Sequence, residues 1–302
     1  MLHVDATDDP AAALAACGQY LERDPVGHNV ALSLLHDRIA HPVPGRYWWV
    51  TDDAPADGAD AAAGKRGTVA DDAAADDSRP RVVGYAWQSP AGIMAGLTPT
   101  TTAAAHALAD QVLADVPDLP GVTGEAGTAA AFTGRWTEQA GTGAAPREGE
   151  RIYRLDQVDP VPETPGQPRP ADGDEIELLI SWLDAFHVET DHDLALDLDT
   201  VVRLRVAEGL MWVWDDGGPV ALTRVTVPVG GVVRVGPVYT PPSHRGHGYA
   251  TSLVAFLSQR ALDDGAAALM LFTQLSNPTS NAIYRRIGYR SVGEVLAYRF
   301  SV

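Results

Sequence analysis

The segment Val235-Gly-Pro-Val-Tyr-Thr-Pro-Pro-Ser-His-Arg-Gly-His-Gly-Tyr-Ala-Thr251 organises the chain around it. It overlaps Val232 to Tyr239, whose β-branched residues predict a strand. Pro241 and Pro242 end that strand because proline cannot donate a hydrogen bond to a neighbouring strand. Apolar residues then recur at helical spacing between Leu253 and Ala261 and predict a long helix. The segment therefore joins a strand to a helix through a turn that contains two glycines.

A helix that begins after such a turn favours a phosphate ligand, because its first turn presents unpaired N–H groups and the positive end of the helix dipole. Gly246 and Gly248 allow the backbone to approach closely, and Arg245 adds a fixed positive charge with planar donors. A Gly-x-Gly pair alone equally fits an ordinary strand-to-helix turn. A dinucleotide loop is disfavoured because Thr251 stands where a third small residue belongs. The Gly-Lys-Ser/Thr sequence of a kinase-type phosphate loop is absent.

The distribution of charge supports a polyanionic ligand near this segment. The chain of 302 residues carries 22 Lys and Arg against 40 Asp and Glu, a net charge of −18. Residues 217–302 nevertheless hold 8 basic and 3 acidic side chains, so the basic part of the chain coincides with the predicted phosphate site. The acidic remainder argues against nucleic-acid binding.

Several classes of protein and site are disfavoured by composition. Cys17 is the only cysteine, which excludes an intrachain disulfide and a thiolate metal cluster. No apolar run reaches the roughly 18 residues that a membrane span needs, and the first thirty residues lack the apolar core of a secretory signal. We therefore expect a soluble, cytoplasmic protein with no membrane partner.

The pattern of elements predicts two units. Proline-rich residues 159–170 are predicted to link a unit at 1–158 to a unit at 171–302. Each half shows helices, a strand pair, a third strand, two further helices and a closing strand, at 151–155 in the first half and 295–300 in the second. The Ala/Asp/Gly-rich segment 52–80 cannot bury a core and is predicted to be a solvated acidic loop.

This shared order predicts a tandem repeat in the α/β (α+β) class, each copy a mixed, mostly antiparallel sheet flanked by helices. After its third strand the first half reads Thr98-Pro-Thr-Thr-Thr-Ala103, without an Arg-x-x-Gly-x-Gly sequence. Only the second half is therefore expected to bind the phosphate ligand.

A second motif, Asn277-Pro-Thr-Ser-Asn-Ala-Ile-Tyr-Arg-Arg-Ile-Gly-Tyr289, follows downstream. Together with Arg245-Gly-His-Gly-Tyr-Ala250, which has the form Arg-x-x-Gly-x-Ala, it resembles the two acetyl-CoA motifs of the GNAT N-acetyltransferase superfamily. The resemblance covers about residues 169–302, and the whole chain is similar to two-unit GNAT proteins, of which mycothiol synthases are one type. It implies a catalytic second unit and a degenerate first unit.

The resemblance also implies a function and its residues. The chain would be an acyltransferase, of the kind that transfers groups other than amino-acyl groups, and would move acetyl from acetyl-CoA to a primary amine of a small molecule without a metal. Strand residues would pair with the pantetheine arm, turn residues would surround the pyrophosphate, and Asn277 would contact the cofactor near its pantetheine part. The implied cofactor-binding residues are Val238, Tyr239, Thr240, Arg245, Gly246, His247, Gly248, Tyr249, Ala250 and Asn277.

Tyr284 is the candidate general acid, and the resemblance would put it near the cofactor sulfur. A departing thiolate needs a proton, and tyrosine, with a pKa near 10 against about 8.5 for a thiol, can supply it at modest cost. The alternative is a tyrosine that only packs inside a helix layer. A backbone N–H near Val238 would polarise the carbonyl.

The general base is less defined by the sequence. Glu189 and Asp191 follow the first helix of the second unit and are the candidates, in an acidic segment that would attract a cationic amine. A solvated cluster of acids explains them equally well, and deprotonation through water would need neither. Two histidine pairs, His187 with His192 and His244 with His247, lack a third metal ligand. We expect His244 and His247 to line the turn beside the phosphate instead.

Two rival functions remain from the sequence. One is a non-catalytic protein that binds or senses acyl-CoA, and the other is an acyltransferase with a longer acyl donor. Hydrolase chemistry is unsupported because Ser252 lacks the Gly-x-Ser-x-Gly elbow. The sequence indicates neither the acceptor amine nor the oligomeric state.

Overall fold

The computed structural model describes residues 1–53, 80–190 and 197–301. Residues 54–79 of the predicted acidic loop, and the candidate base Asp191, lie outside these ranges. Within the described residues, no helix is both long enough and apolar enough to cross a membrane.

Apart from the short strand β6 of the first unit, the two units contain the same kinds of element in the same order. The first contains β1 (Leu2–Thr7), α1 (Pro10–Leu21), α2 (Asn29–Ala40), β2 (Arg46–Asp52), β3 (Arg81–Gln88), β4 (Ala95–Leu97), α3 (Thr102–Asp115), β5 (Gly121–Glu125), α4 (Ala126–Ala140), β6 (Ala144–Pro146) and β7 (Glu150–Leu155). The second contains β8 (Gln167–Pro170), α5 (Ile176–Thr190), α6 (Leu198–Ala207), β9 (Met211–Asp215), β10 (Pro219–Val225), β11 (Val232–Tyr239), α7 (Tyr249–Asp263), β12 (Ala268–Gln274), α8 (Pro278–Ile287) and β13 (Arg290–Phe300).

The strands of the described residues form one sheet in the order β1-β2-β3-β4-β5-β13-β7-β12-β11-β10-β9-β8, and β6 pairs with β13. Neighbouring strands are antiparallel except for β4 with β5 and β11 with β12. The predicted fold class, a mixed and mostly antiparallel sheet flanked by helices, is confirmed.

Helices cover both faces of the sheet because neighbouring strand residues bury opposite faces. In β2, Tyr47 packs under α1 and α2 whereas Trp48 packs under α3 and α4. In β9, Val213 packs under α5 and α6 whereas Trp214 packs against α7. The two units are thus built as equivalent layers.

The last residues of the predicted linker form a strand. Gln167–Pro170 is β8, and its register places Gln167 opposite Asp215 and Pro170 opposite Trp212. Because β8 lies at the edge of the sheet, its prolines need not donate on the open side. Arg169 fixes this edge: its Nε donates to Asp215 Oδ2 at 2.8 Å and its Nη1 to Glu175 Oε2 at 2.9 Å.

The closing strands of the two units are exchanged across the sheet. Strand β7 pairs with β12 of the second unit, from Leu155 opposite Leu269 to Glu150 opposite Gln274. Strand β13, at the end of the chain, pairs with β5 of the first unit, including Tyr298 opposite Val122. Strands β7 and β13 also pair with each other. The sheet is therefore continuous across the predicted boundary between the units.

We expect Phe300→Ala to destabilise the protein by about 3 kcal/mol, because a buried aromatic ring is removed from the core of the other unit. Phe300 is 7% exposed, and its ring stacks on Trp136 of α4 with 4.8 Å between centroids. Denaturant unfolding checks this. The control is Val292→Ala on the same strand, at a residue that is 52% exposed, with an expected change within about 0.5 kcal/mol. Equal effects of the two substitutions would contradict the role of β13 in the first core.

We expect Arg169→Gln to lower the free energy of unfolding at pH 7 by about 2 kcal/mol, and with it the melting temperature. At pH 3 we expect little change in the melting temperature. The guanidinium of Arg169 holds the pKa of the Glu175 and Asp215 carboxyls below their usual values. A lowered folded-state pKa contributes stability above the unfolded-state values, about 4 to 4.5, and that contribution is lost as the pH falls through the lowered values.

Thermal unfolding at pH 3, 5 and 7 measures this dependence on pH. The control variant is Arg203→Gln, which removes an exposed ion pair with Asp199 and is expected to have the smaller effect at pH 7. A loss in Arg169→Gln that is the same at pH 3 and pH 7 would rule out the ionised pairs as its cause.

Candidate functional site

Strands β11 and β12 are paired at their beginnings and separate towards their ends. Their parallel ladder runs from Val232 opposite Ala268 to Arg234 opposite Met270. Beyond these residues β11 continues to Tyr239 along β10, and β12 continues to Gln274 along β7. The facing edges of the two strands therefore present backbone N–H and C=O groups that β11 and β12 do not use for each other.

A groove of about 520 Å³ opens at this separation. It is lined by residues from α5, β11, the turn before α7, the start of α7 and α8. Those predicted from the sequence are Glu189, Val238, Tyr239, Thr240, Arg245, Gly246, Gly248, Tyr249, Ala250, Asn277 and Tyr284. His244, predicted to line the turn beside the phosphate, is also among them, and those not predicted are Phe186, Thr190, Thr251, Thr279, Ser280, Ile283 and Arg286.

Helical spacing from Tyr284 could have predicted some of the lining residues that the sequence analysis missed. Ser280 and Ile283 lie four and one residues before Tyr284, so Ser280 shares its helix face. His247 is a predicted cofactor contact that is not among the lining residues. Its ring instead stacks on Tyr249, with 5.4 Å between centroids, and its Nδ1 lies 3.2 Å from the carbonyl of His244.

The start of α7 has the geometry of an anion site. Gly246 and Gly248 adopt φ values of 83° and 88°, which favour glycine because a Cβ would be strained there. Gly248 is the N-cap residue and offers no side chain to the first turn of the helix. The N–H groups of that turn, with the positive end of a 15-residue helix, are therefore available to a ligand in the groove.

The equivalent helix of the first unit is closed to such a ligand. Thr101 caps α3, and its side chain accepts a hydrogen bond from the N–H of Ala104. Tyr20 of α1 donates its hydroxyl to the carbonyl of Pro99 at 2.9 Å, in the turn that precedes α3. Strand β4 also stays paired with β5 along its whole length, from Ala95 to Leu97. The features of an anion site thus occur in the second unit and are filled or capped in the first.

Arg245 and Glu189, which sequence reasoning assigned to different tasks, form an ion pair. Nη2 of Arg245 lies 2.8 Å from each carboxylate oxygen of Glu189, and its Nε donates to the carbonyl of Thr240 at 2.9 Å. The hydroxyl of Tyr239 also donates to Glu189, at 3.3 Å. The pair is about half exposed, so a phosphate entering the groove would compete with Glu189 for the guanidinium.

Asn277 serves as the N-cap of α8, where its Oδ1 accepts from the N–H of Ser280 at 3.0 Å. Asn281, on the next turn, bonds through its Nδ2 to the carbonyl of Gln274 at 2.9 Å. These two amides set the start of α8 against the end of β12, and so fix where Tyr284 lies.

The hydroxyl of Tyr284 receives no hydrogen bond from, and donates none to, the residues that the structure describes, although the ring is buried against Tyr153 and Tyr289. Both neighbours have committed hydroxyls: Tyr153 donates to Asn281 at 2.9 Å, and Tyr289 lies 2.9 Å from Ser258 Oγ. Burial raises the pKa of Tyr284 well above its usual value, so the phenol stays protonated at neutral and mildly alkaline pH. It is a hydrogen-bond donor that faces the groove.

Other sequence candidates have structural partners. Ser252 Oγ donates to Thr164 Oγ1 at 2.8 Å, which ties α7 to the segment between the units. Across residues 1–53, 80–190 and 197–301, no three His, Cys, Asp or Glu side chains gather as a metal-binding group. His192 lies outside those ranges, as does Asp191.

Comparison with known proteins agrees with this geometry. Residues 176–289 match the model of the acetyltransferase (GNAT) family. No curated protein sequence matches the chain.

Three solved structures share the fold over nearly the whole chain. A GCN5-related N-acetyltransferase from Sphaerobacter thermophilus has 16% identity and a TM-score of 0.61, covering 99% of this chain and 95% of that one. A GNAT-family acetyltransferase from Colwellia psychrerythraea has 10% identity and a TM-score of 0.58, covering 99% and 100%. A tandem GNAT protein from the clavulanic acid biosynthesis pathway has 13% identity and a TM-score of 0.54, covering 100% and 98%.

At these identities the likeness concerns the fold, and it extends over both units. The resemblance read from the Arg245 and Asn277 motifs is confirmed by the family match. Residues 176–289 therefore match the acetyltransferase (GNAT) family, within a chain that has the fold of a tandem GNAT protein.

Proposed function

We propose that this protein is an acetyl-CoA-dependent N-acetyltransferase that acts on a primary amine of a small molecule, with Tyr284 as the general acid. The observation that carries the proposal is the uncommitted hydroxyl of Tyr284 in a groove between separated strands and an uncapped helix start. That combination suits a ligand with a reactive sulfur at one end and phosphates at the other.

The groove fits coenzyme A by the chemistry of its lining. The N–H groups after Gly248, with Arg245, would hold the pyrophosphate. The open edge of β11 at Val238 to Thr240 would pair with the amide groups of the pantetheine arm, as one strand pairs with another. Bound acetyl-CoA supplies an activated acyl group as a thioester.

The residues of the chain would then serve a direct attack. The amine nitrogen forms a bond to the acetyl carbon and loses a proton, while the carbon–sulfur bond breaks and the sulfur takes a proton from Tyr284. A backbone N–H near Val238 would donate to the carbonyl oxygen as negative charge develops there. The raised pKa of Tyr284 keeps the phenol protonated at neutral pH. It also makes proton transfer to the thiolate less favourable than the ordinary pKa of tyrosine would.

Glu189, a candidate base, would compete with the phosphates of the ligand for Arg245. Its carboxylate is held by Arg245 and Tyr239, and phosphate binding to Arg245 would release it. Its pairing with Arg245 places Glu189 at the phosphate end of the groove, and the candidate bases remain Glu189, Asp191 and water.

We expect Tyr284→Phe to lower kcat by about 100-fold and to change acetyl-CoA affinity by less than about 2-fold, because only the proton donor is lost. Thiol release from acetyl-CoA with a panel of primary amines measures turnover, and calorimetry measures affinity. The control is Tyr289→Phe, an equally buried ring whose hydroxyl is bound by Ser258, which is expected to keep wild-type kcat. Wild-type turnover in Tyr284→Phe would reject the acid role. Acetyl-CoA binding with no thiol release for any amine would instead favour a sensor.

We expect Glu189→Gln to tighten acetyl-CoA binding by about 1.4- to 5-fold, since an exposed ion pair worth roughly 0.2–1 kcal/mol no longer competes for Arg245. Arg245→Ala should weaken binding. Glu177→Gln, at the other end of α5 and paired with Arg203, is the control and should change neither quantity. If Glu189 is the base, kcat of Glu189→Gln falls by about 100-fold as well; unchanged affinity would contradict the competition.

A further inference from the structure

A second cavity, of about 470 Å³, lies between the two units, and we call it the inter-unit cavity. The turn between α1 and α2 of the first unit, residues 24–30, forms one wall, and strands β5, β7, β12 and β13 form its floor. Trp87, Ile152 and Phe272 make much of the lining apolar. It shares no lining residue with the groove that holds Tyr284.

The inter-unit cavity and the groove are both lined from β11, the cavity by Arg234 and the groove by residues 238–240. Met270 and Phe272 face the first unit together with Val26, whereas Leu271 packs on the opposite face with Tyr284. Arg234, the last β11 residue to pair with β12, lines the inter-unit cavity. The cavity thus lies on the sheet face opposite Tyr284, whereas the groove is lined by α5 on one face and by α7 and α8 on the other. An acceptor that lies in the cavity would present its amine to a thioester held in the groove.

Arg234 is a charge without a counter-ion. Its one hydrogen bond among the described residues is from Nη1 to Asn29 Oδ1, at 3.4 Å, and none of the described carboxylates pairs with it within 4.0 Å. Burial and the nearby charge of Arg224 lower its pKa to about 9, so it remains charged at neutral pH. An uncompensated charge in a partly buried site is costly.

Groups around Arg234 also lack partners. Arg224 lies on the adjacent strand β10, and its Nε has no hydrogen-bond partner in the described part of the chain. Asn29 is 1% exposed and its Nδ2 likewise has none there. All of these groups are hydrogen-bond donors. A negatively charged ligand group that accepts hydrogen bonds would therefore pair with Arg234 and be stabilised by the positive charge around it.

The remaining charged residues that line the inter-unit cavity are already engaged. Glu125 caps α4 through the N–H of Thr128 at 2.9 Å. Arg154 donates to Asp156 at 2.8 Å, and Glu294 accepts from Arg151 at 2.9 Å. Asp24 accepts from the N–H of Gly27 at 2.9 Å, and Glu150 is also partnered. Of the two arginines that line the cavity, Arg154 has an ion-pair partner and Arg234 has none among the described residues.

We infer that the acceptor is an amine that also carries an acidic group, a carboxylate or a phosphate, and that Arg234 binds this group in the inter-unit cavity. The inference rests on the proposed acetyl transfer for the identity of the ligand as acceptor. The apolar body of the ligand lies against Trp87, Ile152 and Phe272, and its amine points to the separation of the strands. The first unit contributes the wall at residues 24–30, so the acceptor site is shared by the two units.

Matched pairs of amines test the inference. The carboxylate arm compares phenylalanine with phenethylamine and leucine with isoamylamine; the phosphate arm compares phosphoethanolamine with ethanolamine. We expect the acidic member in at least one arm to have a kcat/KM for thiol release about 10- to 100-fold higher, as a charged hydrogen bond predicts. Arg234→Gln should reduce that preference to within about 3-fold. The arm that responds identifies the acidic group.

Arg224→Gln is the matched control, because it removes an equal charge one strand away at a residue that does not line the inter-unit cavity. It is expected to keep the preference. Arg234→Gln should unfold at or above the wild-type melting temperature, since an uncompensated charge is removed. Loss of the preference in both variants alike would overturn direct binding by Arg234.

Binding without acetyl-CoA separates this inference from the proposed function. If no amine supports thiol release but an acidic member raises the melting temperature of the wild type and not of Arg234→Gln, acetyl transfer fails and the acid-binding cavity stands. If amines are acetylated with no preference for the acidic members, the inference is overturned and acetyl transfer stands. Neither thiol release nor a thermal shift with any acidic member also overturns the inference.

Discussion

The backbone ladder between β7 and β12 is the constraint on which the groove depends. A strand that leaves one neighbour exposes a row of N–H and C=O groups, which is unfavourable when they are buried. From Leu271 to Gln274, β12 has left β11 but remains hydrogen-bonded to β7. The first unit thus holds β12 in place by its other edge, which allows its β11 edge to stay open for a ligand. The first unit thus helps to determine the shape of the groove in the second unit.

The two units show how small local changes separate a binding site from a closed copy. Thr101 caps α3 with its own side chain, whereas Gly248 leaves the start of α7 to an external partner. Tyr20 bonds to the turn before α3, and the corresponding turn before α7 carries Arg245. Because helix ends must satisfy their N–H groups somehow, the choice of cap residue decides whether a ligand is needed.

Local patterns predicted the elements well and their partners poorly. The turn at Arg245 and the helix at Tyr284 follow from short-range rules, and most of the predicted residues line one groove. The edge strands β1 and β8 were missed because an edge needs little apolar alternation, and β8 even contains two prolines. The exchange of β7 and β13 could not be predicted from the sequence, because the residue pattern of a strand does not specify which strand it pairs with. The pairing of Arg245 with Glu189, and the cavity at Arg234, depend on contacts between distant parts of the chain.

The exchange of β7 and β13 has a consequence for how such a chain can change over evolutionary time. In two units joined only by a tether, one copy that has lost its ligand can be deleted in a single step. Here each copy supplies a strand to the other's sheet, so deletion of either would leave an open edge in the survivor, a surface prone to aggregation. The strand that the first unit supplies thus constrains the chain to keep that unit, whether or not it binds a ligand of its own.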